Sequence, residues 1–163
     1  MNSIKMDPLD FPLPKNMKIH DFKLSWKLSS PGVKHIWEKL QRKETFTKGQ
    51  LPPYKVEFES GINTGPLASG ELNIHHGPFL SAHGIIGEVS ENYRDLKYSY
   101  GSYAISFRLI RPVRLQFFKN NDSISLQFTV QVHRYFYHIW EIMSQVFLRQ
   151  FGLNLKIITL FKK

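Results

Sequence analysis

Three histidines, His75, His76 and His83, fall within nine residues, and imidazoles on neighbouring strands are a common way to chelate a divalent metal. Adjacent side chains of an extended chain point to opposite faces, so His75 and His76 do not converge on one ion. No carboxylate nearby completes a ligand motif. A metal centre is therefore not expected, and no cofactor is implied. His83 alternates in phase with Ile85, which makes it either a hydrogen-bonded core histidine or a group facing a ligand. Acid or base chemistry would have to come from His83, His133, His138 or a tyrosine. The chain has no recognisable pair of catalytic carboxylates, no nucleophile elbow and no phosphate-binding glycine loop. Binding is expected rather than catalysis.

A second concentration of functional groups lies at Tyr93, Tyr98, Tyr100 and Tyr103, four phenols in eleven residues. Tyr98 and Tyr100 share one face of a strand, and a bulge at Gly101 would let Tyr103, Ile105 and Phe107 continue on that side. Buried phenols need polar partners. In a cavity they orient a ligand's carbonyl or hydroxyl; at a sheet margin they pack across strands.

The elements that position these groups are legible from periodicity. Phe22, Leu24, Trp26 and Leu28 alternate with polar residues as a first strand. Ser30-Pro31 then opens a short helix carrying Val33, Ile36, Trp37 and Leu40, which runs to about Gln41. Tyr54 to Phe58 reads as a second strand. The stretch from Ser60 to Gly70, with Gly61, Gly65, Pro66 and Gly70, reads as a flexible rim or lid, or as an ordinary surface loop. Strands follow at Leu72–His76, Phe79–Glu91, Leu96–Phe107, Val113–Phe118 and Ser123–His133, and Asn120-Asn121-Asp122 turns the last two into a hairpin. Gly77, Gly84, Gly87 and Gly101 permit bulges and a strongly curved sheet.

The last strand puts Ile124, Leu126, Phe128, Val130 and Val132 on one face. It feeds a helix whose stripe is Phe136, Ile139, Trp140, Met143, Phe147 and Phe151. An apolar sheet face followed by an aromatic helix implies that the helix lies across that face. Residues 1–17, with Pro8, Pro12 and Pro14, suit an extended arm, and residues 18–163 form a single domain.

This order, strand, helix, loop, six antiparallel strands and a long C-terminal helix, resembles the START-like superfamily of helix-grip proteins, which includes the Bet v 1-like (SRPBCC) group. The resemblance covers about residues 18–151. It implies an α+β fold in which a curved antiparallel sheet of about seven strands wraps the terminal helix around an elongated apolar cavity. Such proteins often carry two short helices after the first strand; here one is clear, and Lys43–Leu51 is ambiguous. By that resemblance the expected ligand is a hydrophobic or amphipathic, lipid-like small molecule. The candidate lining is Trp26, His83, Tyr98, Tyr100, Tyr103, Phe107, Phe117, Phe128, Trp140, Met143 and Phe147. A polyketide cyclase- or aromatase-like enzyme is the alternative the resemblance leaves open.

Composition bounds the partners. The net charge is +9 and aromatic residues make up 14% of the chain, so an acidic surface or ligand attracts it. Arg94, Lys97, Arg108, Arg111 and Arg114 are the residues a nucleic-acid reading would use for phosphate, but no RNP-like interleaving of basic and aromatic residues accompanies them. Peripheral contact with an anionic membrane is compatible with the charge. No cysteine is present, which excludes disulfides and thiolate chemistry. The N-terminal segment has no apolar signal-peptide core, and a cytoplasmic protein is expected.

Overall fold

The computed structural model describes residues 15–48, 55–77, 80–102 and 109–145, with the backbone alone at 77, 80, 81 and 98–102. Strand β1 (Met17–Lys27) and strand β7 (Ser123–His133) pair antiparallel over eleven positions without a slip, from Met17 opposite His133 to Lys27 opposite Ser123. The shared period of two sets that register. Phe22 and Trp26 face the same side as Ile124, Leu126, Phe128, Val130 and Val132, and a shift by one residue would turn every one of them into solvent. Between these strands run helix α1 (Ser30–Leu40), helix α2 (Glu44–Thr47), and strands β2 (Lys55–Phe58), β3 (Leu72–Gly77), β4 (Leu80–Val89), β5 (Tyr93–Ser102) and β6 (Ile110–Lys119). One seven-stranded sheet results, in the order β1-β7-β6-β5-β4-β3-β2, with every neighbouring pair antiparallel. Helix α3 occupies 137–145 of the described residues and crosses the face that β1 and β7 present.

Helix α1 is capped one residue earlier than Ser30-Pro31 suggested, by Ser29 rather than Ser30. The Ser29 hydroxyl accepts from the Gly32 N–H at 3.4 Å, and Pro31 sits in the first turn. Its apolar stripe, Val33, Ile36, Trp37 and Leu40, is buried against Trp26 and Ile124. The second helix, α2, has four residues, too few for any apolar period to show in the sequence. It lies within the Lys43–Leu51 stretch that read as ambiguous, of which residues 49–51 lie outside the described residues.

The segment from Ser60 to Gly70 is strapped down rather than a free lid. Lys43 N–H donates to the Gly65 carbonyl at 2.9 Å, Leu67 N–H donates to Gln41 at 2.8 Å, and Leu67 is buried. Gly61, Gly65 and Gly70 all have positive φ, which gives the loop its reversals.

Bulges fall beside two of the expected glycines, with β4–β5 register shifts between His83 and Gly84 and between Ile86 and Val89. At Gly101 pairing is continuous: Gly101 faces Ala82 and Tyr100 faces His83, while Tyr98 faces Gly84. The irregularity therefore lies between Tyr98 and Tyr100, not at Gly101 as the sequence suggested. On β6 a further shift follows Pro112, which has no N–H to give the ladder.

Two core clusters lie on the concave side, one under α1 and β1–β7–β6 and one under β2–β5; Phe46, Leu115 and Phe128 pack against both. The convex side carries a polar clamp. Asp95, 1% exposed, accepts from Arg114 at 2.8 and 2.9 Å, and Arg114 and Gln116 both donate to the Tyr93 hydroxyl. Gly87 lies against Asp95, so close that a Cβ there would stand 2.7 Å from Oδ2 and 3.0 Å from Cγ. The bidentate Arg114 leaves that carboxylate little room to retreat. Gly87→Ala is accordingly expected to lower stability by about 1–3 kcal/mol through overpacking. Urea unfolding of the two proteins checks it, and an unchanged midpoint would contradict the close approach.

Candidate functional site

Strand β1 is an edge of the sheet, and α3 runs beside its inward face. Tyr137 stacks obliquely on His20 with centroids 5.2 Å apart, and Trp140 lies 6.2 Å from Phe22. These contacts turn Phe136, Tyr137 and Trp140 toward the core, with Ser144 buried one turn further on. Beyond Trp140 the two elements diverge and leave a crevice of about 320 Å³, within the range of small-ligand sites. Its strand wall is His20, Phe22, Lys23 and Leu24; its helix wall is Glu141, Ser144 and Gln145.

The chemistry of this crevice is that of an apolar slot with a few polar groups. Phe22, set edge-on to Phe128 at 5.3 Å, and Leu24 provide the apolar surface, while Lys23 and Glu141 place opposite charges on the two walls. Among the described residues, His20 Nδ1 and Trp140 Nε1 are buried without a hydrogen-bond partner. Unmet groups of this kind cost about 1–3 kcal/mol each, and a bound hydroxyl or carbonyl would relieve that cost. The Ser144 hydroxyl donates to the Glu141 carbonyl at 2.9 Å, so its lone pairs remain available as acceptors.

A second polar group is built into the concave side of β3 and β5. Arg94, 2% exposed, donates to the Leu40 carbonyl at the end of α1, with its guanidinium 4.2 Å from the Phe46 ring and 5.2 Å from Phe117. Asn73 is 1% exposed, and its Oδ1 has no partner among the described residues. His75 lies opposite Val56 and Ala82 on the same concave side. Burial pushes the His75 imidazole down to about 4, and the charges of Arg94 and His76 add to that effect. It is neutral at neutral pH and a poor base.

The structure divides the candidate lining of the sequence reading. Phe128 and Trp140 flank the crevice through Phe22. Trp26 and Phe117 are buried in the cluster under α1, away from it. Met143 is 50% exposed on the outer side of α3 and does not line the interior; a helix with apolar residues on several sides does not report its own phase. His83 stands on the outer face, opposite Ile74 and 3.9 Å from the Glu59 carboxylate, and so faces away from the cavity side. Tyr98 and Tyr100 are placed by backbone register alone, and Tyr103, Phe107 and Phe147 lie outside the described residues. His20 and Ser144 were missed. His20 continues the inward phase of Phe22, Leu24 and Trp26, a signal present in the sequence; Ser144 had none.

His76 bonds Glu57 on the outer side at 3.1 Å, so the histidines are dispersed, and among the described residues no three of His, Asp and Glu gather as metal ligands. Of the arginines available to phosphate, Arg94 is in the core, Arg114 is held by Asp95 and Arg111 donates to Gln131 at 3.5 Å; Arg108 lies outside the described residues. No described helix is long and apolar enough to cross a membrane.

No family model matches the sequence, and no curated protein matches it at a significant level. Its likeness to solved structures is one of fold. Norcoclaurine synthase from Thalictrum flavum, in complex with dopamine and hydroxybenzaldehyde, superposes with a TM-score of 0.54 at 13% identity over 96% of this chain and 92% of the other. A second structure of the same plant enzyme gives 0.51 at 12% identity, over 95% and 91%. The chain has the helix-grip fold of the Bet v 1-like proteins.

The depressed His75 pKa makes stability pH-dependent. Between the ordinary value of 6.5 and about 4, the unfolded chain takes up a proton that the folded chain refuses. The stability contributed by neutral His75 is therefore complete above pH 6.5 and lost as pH falls toward 4. His75→Gln is expected to flatten the fall of Tm over that window, and Arg94→Met to raise the His75 titration midpoint in NMR spectra. A slope identical in wild type and His75→Gln would refute the assignment.

Proposed function

We propose that the protein binds a small amphipathic molecule, lipid-like in having an apolar body and one polar end, between β1 and α3. The crevice walled by Phe22 and Leu24, with the unpartnered Nδ1 of His20 on its strand wall, carries this reading. The apolar body lies against Phe22 and Leu24. The polar end, a hydroxyl or carbonyl, exchanges hydrogen bonds with His20 and Ser144. A fold shared with a synthase held in complex with dopamine and hydroxybenzaldehyde supports a small-molecule partner. The role proposed is transfer or storage rather than turnover, since the sequence carries no recognisable pair of catalytic carboxylates and no nucleophile elbow.

Organic extraction of the purified protein followed by mass spectrometry, together with titration of the apolar dye anilinonaphthalene sulfonate, tests this. An extractable apolar compound that competes with the dye is expected. Ser144→Leu, which fills the crevice, should weaken dye binding about tenfold or more by removing space and an acceptor. No extractable compound, with dye binding equal in wild type and Ser144→Leu, would overturn the proposal.

A further inference from the structure

The outer side of α3 has an unusual composition for a helix on a soluble sheet. Ile139 is 53% exposed, Ile142 68% and Met143 50%, and Tyr135, just ahead of the helix, is 76% exposed. The inner side is already committed, since Tyr137 and Trp140 pack on β1. A helix apolar on both sides calls for a second apolar environment.

The surroundings indicate which environment. Arg134 lies 4.6 Å from the Tyr135 ring and donates to its hydroxyl at 2.6 Å, and Lys18 lies 5.8 Å from the Tyr137 ring. The Arg134 N–H donates to the Asn16 carbonyl at 2.8 Å, which ties the start of α3 to the start of β1. Arg134 therefore flanks the exposed Tyr135 at one end of an aliphatic stripe, and Lys18 stands beside it over the inward-turned Tyr137. Glu141, the acidic residue on the described part of α3, stands on the crevice wall and lies 3.8 Å from His138. Tyrosines with basic side chains at the level of headgroups, and isoleucines below them, are the arrangement of a helix lying in a membrane interface. A net charge of +9 draws the whole chain toward an anionic surface.

We propose that the outer side of α3, through Tyr135, Ile139, Ile142 and Met143 with Lys18 and Arg134 at its edge, docks the protein on an anionic lipid bilayer. The inference stands apart from the crevice: docking needs no ligand, and the crevice could be filled from solution. Docked this way, α3 would lie in the interface with the crevice at its flank.

Flotation of the full chain with vesicles of phosphatidylcholine, with and without phosphatidylserine, tests it. Partition onto the anionic vesicles should exceed that onto neutral ones by about tenfold and decline with salt. Ile142→Glu should lower it about tenfold, and Arg134→Glu about fivefold. Ile142 is mostly exposed, so the variant is expected to fold, which circular dichroism checks, and its dye binding in the crevice should be unchanged. Equal partition onto both vesicle types, or full binding by Ile142→Glu, overturns the proposal. So does a wild-type dimer in sedimentation that Ile142→Glu dissociates while vesicle binding persists, because that would assign the stripe to a second copy.

Discussion

The guanidinium of Arg94 is the contact on which the arrangement of helices and sheet depends. It rises from β5 into the concave side, passes between Phe46 of α2 and Phe117 of β6, and donates to the last carbonyl of α1. Four elements meet at one charged group. A buried cation is costly unless its donors are met and its charge is spread. Two aromatic faces and a helix C-terminus, where carbonyls lack intrahelical partners, do part of that work. The helices α1 and α2 are thereby placed over the seam where the two apolar clusters join. The next residue, Asp95, points the other way, is equally buried, and is neutralised by Arg114 on the convex side. Consecutive opposite charges, one inside and one outside, pin the middle of the sheet from both faces.

That pinning leaves freedom at the far edge. Away from Arg94, β1 is held by its ladder to β7 and by the rings that α3 lays on it, and among the described residues no further strand pairs with its outer edge. A strand that ends a sheet and a helix that meets it at an angle can touch tightly over one stretch only. They do so at His20, Phe22, Tyr137 and Trp140, and part beside Leu24 and Ser144. The crevice is thus a consequence of the grip. Its polar atoms remain unmatched because they come from two elements that separate before they can satisfy one another.

Alternation is a strong signal when one face of a strand is buried, which is why β1, β7 and the hairpin turn at Asn120–Asp122 were legible nearly residue by residue, whereas β6, read from Val113, begins at Ile110, ahead of Pro112 and the register shift that breaks its period. The capped start of α1 was legible to within one residue: Ser30-Pro31 suggested Ser30 as the cap, and the structure caps the helix with Ser29. Helix α2 was not legible, because four residues hold no period. The phase of α3 was misread for a different reason. Phe136, Ile139, Trp140 and Met143 form a plausible stripe, yet Tyr137 competes with Ile139 for the interior and wins by stacking on His20. His83 sat in phase with Ile85, but Ile85 itself lies opposite Leu72, which is 42% exposed, on the outer face. Apolar character alone did not tell inside from outside at the β3–β4 margin.

The amino-acid order by itself determined the seven strands, their hairpin neighbours, the capped helix and the fact that a helix must cover the last strand, because these follow from local period and turn chemistry. The tertiary structure alone decided which side of α3 faces inward, that Arg94 belongs to the core rather than the surface, and that His20 and Ser144 meet across a crevice. Each of those depends on the distance between residues far apart in sequence, such as 20 and 144 or 40 and 94. Period and propensity carry no information about such distances; only the packed sheet brings the pairs together.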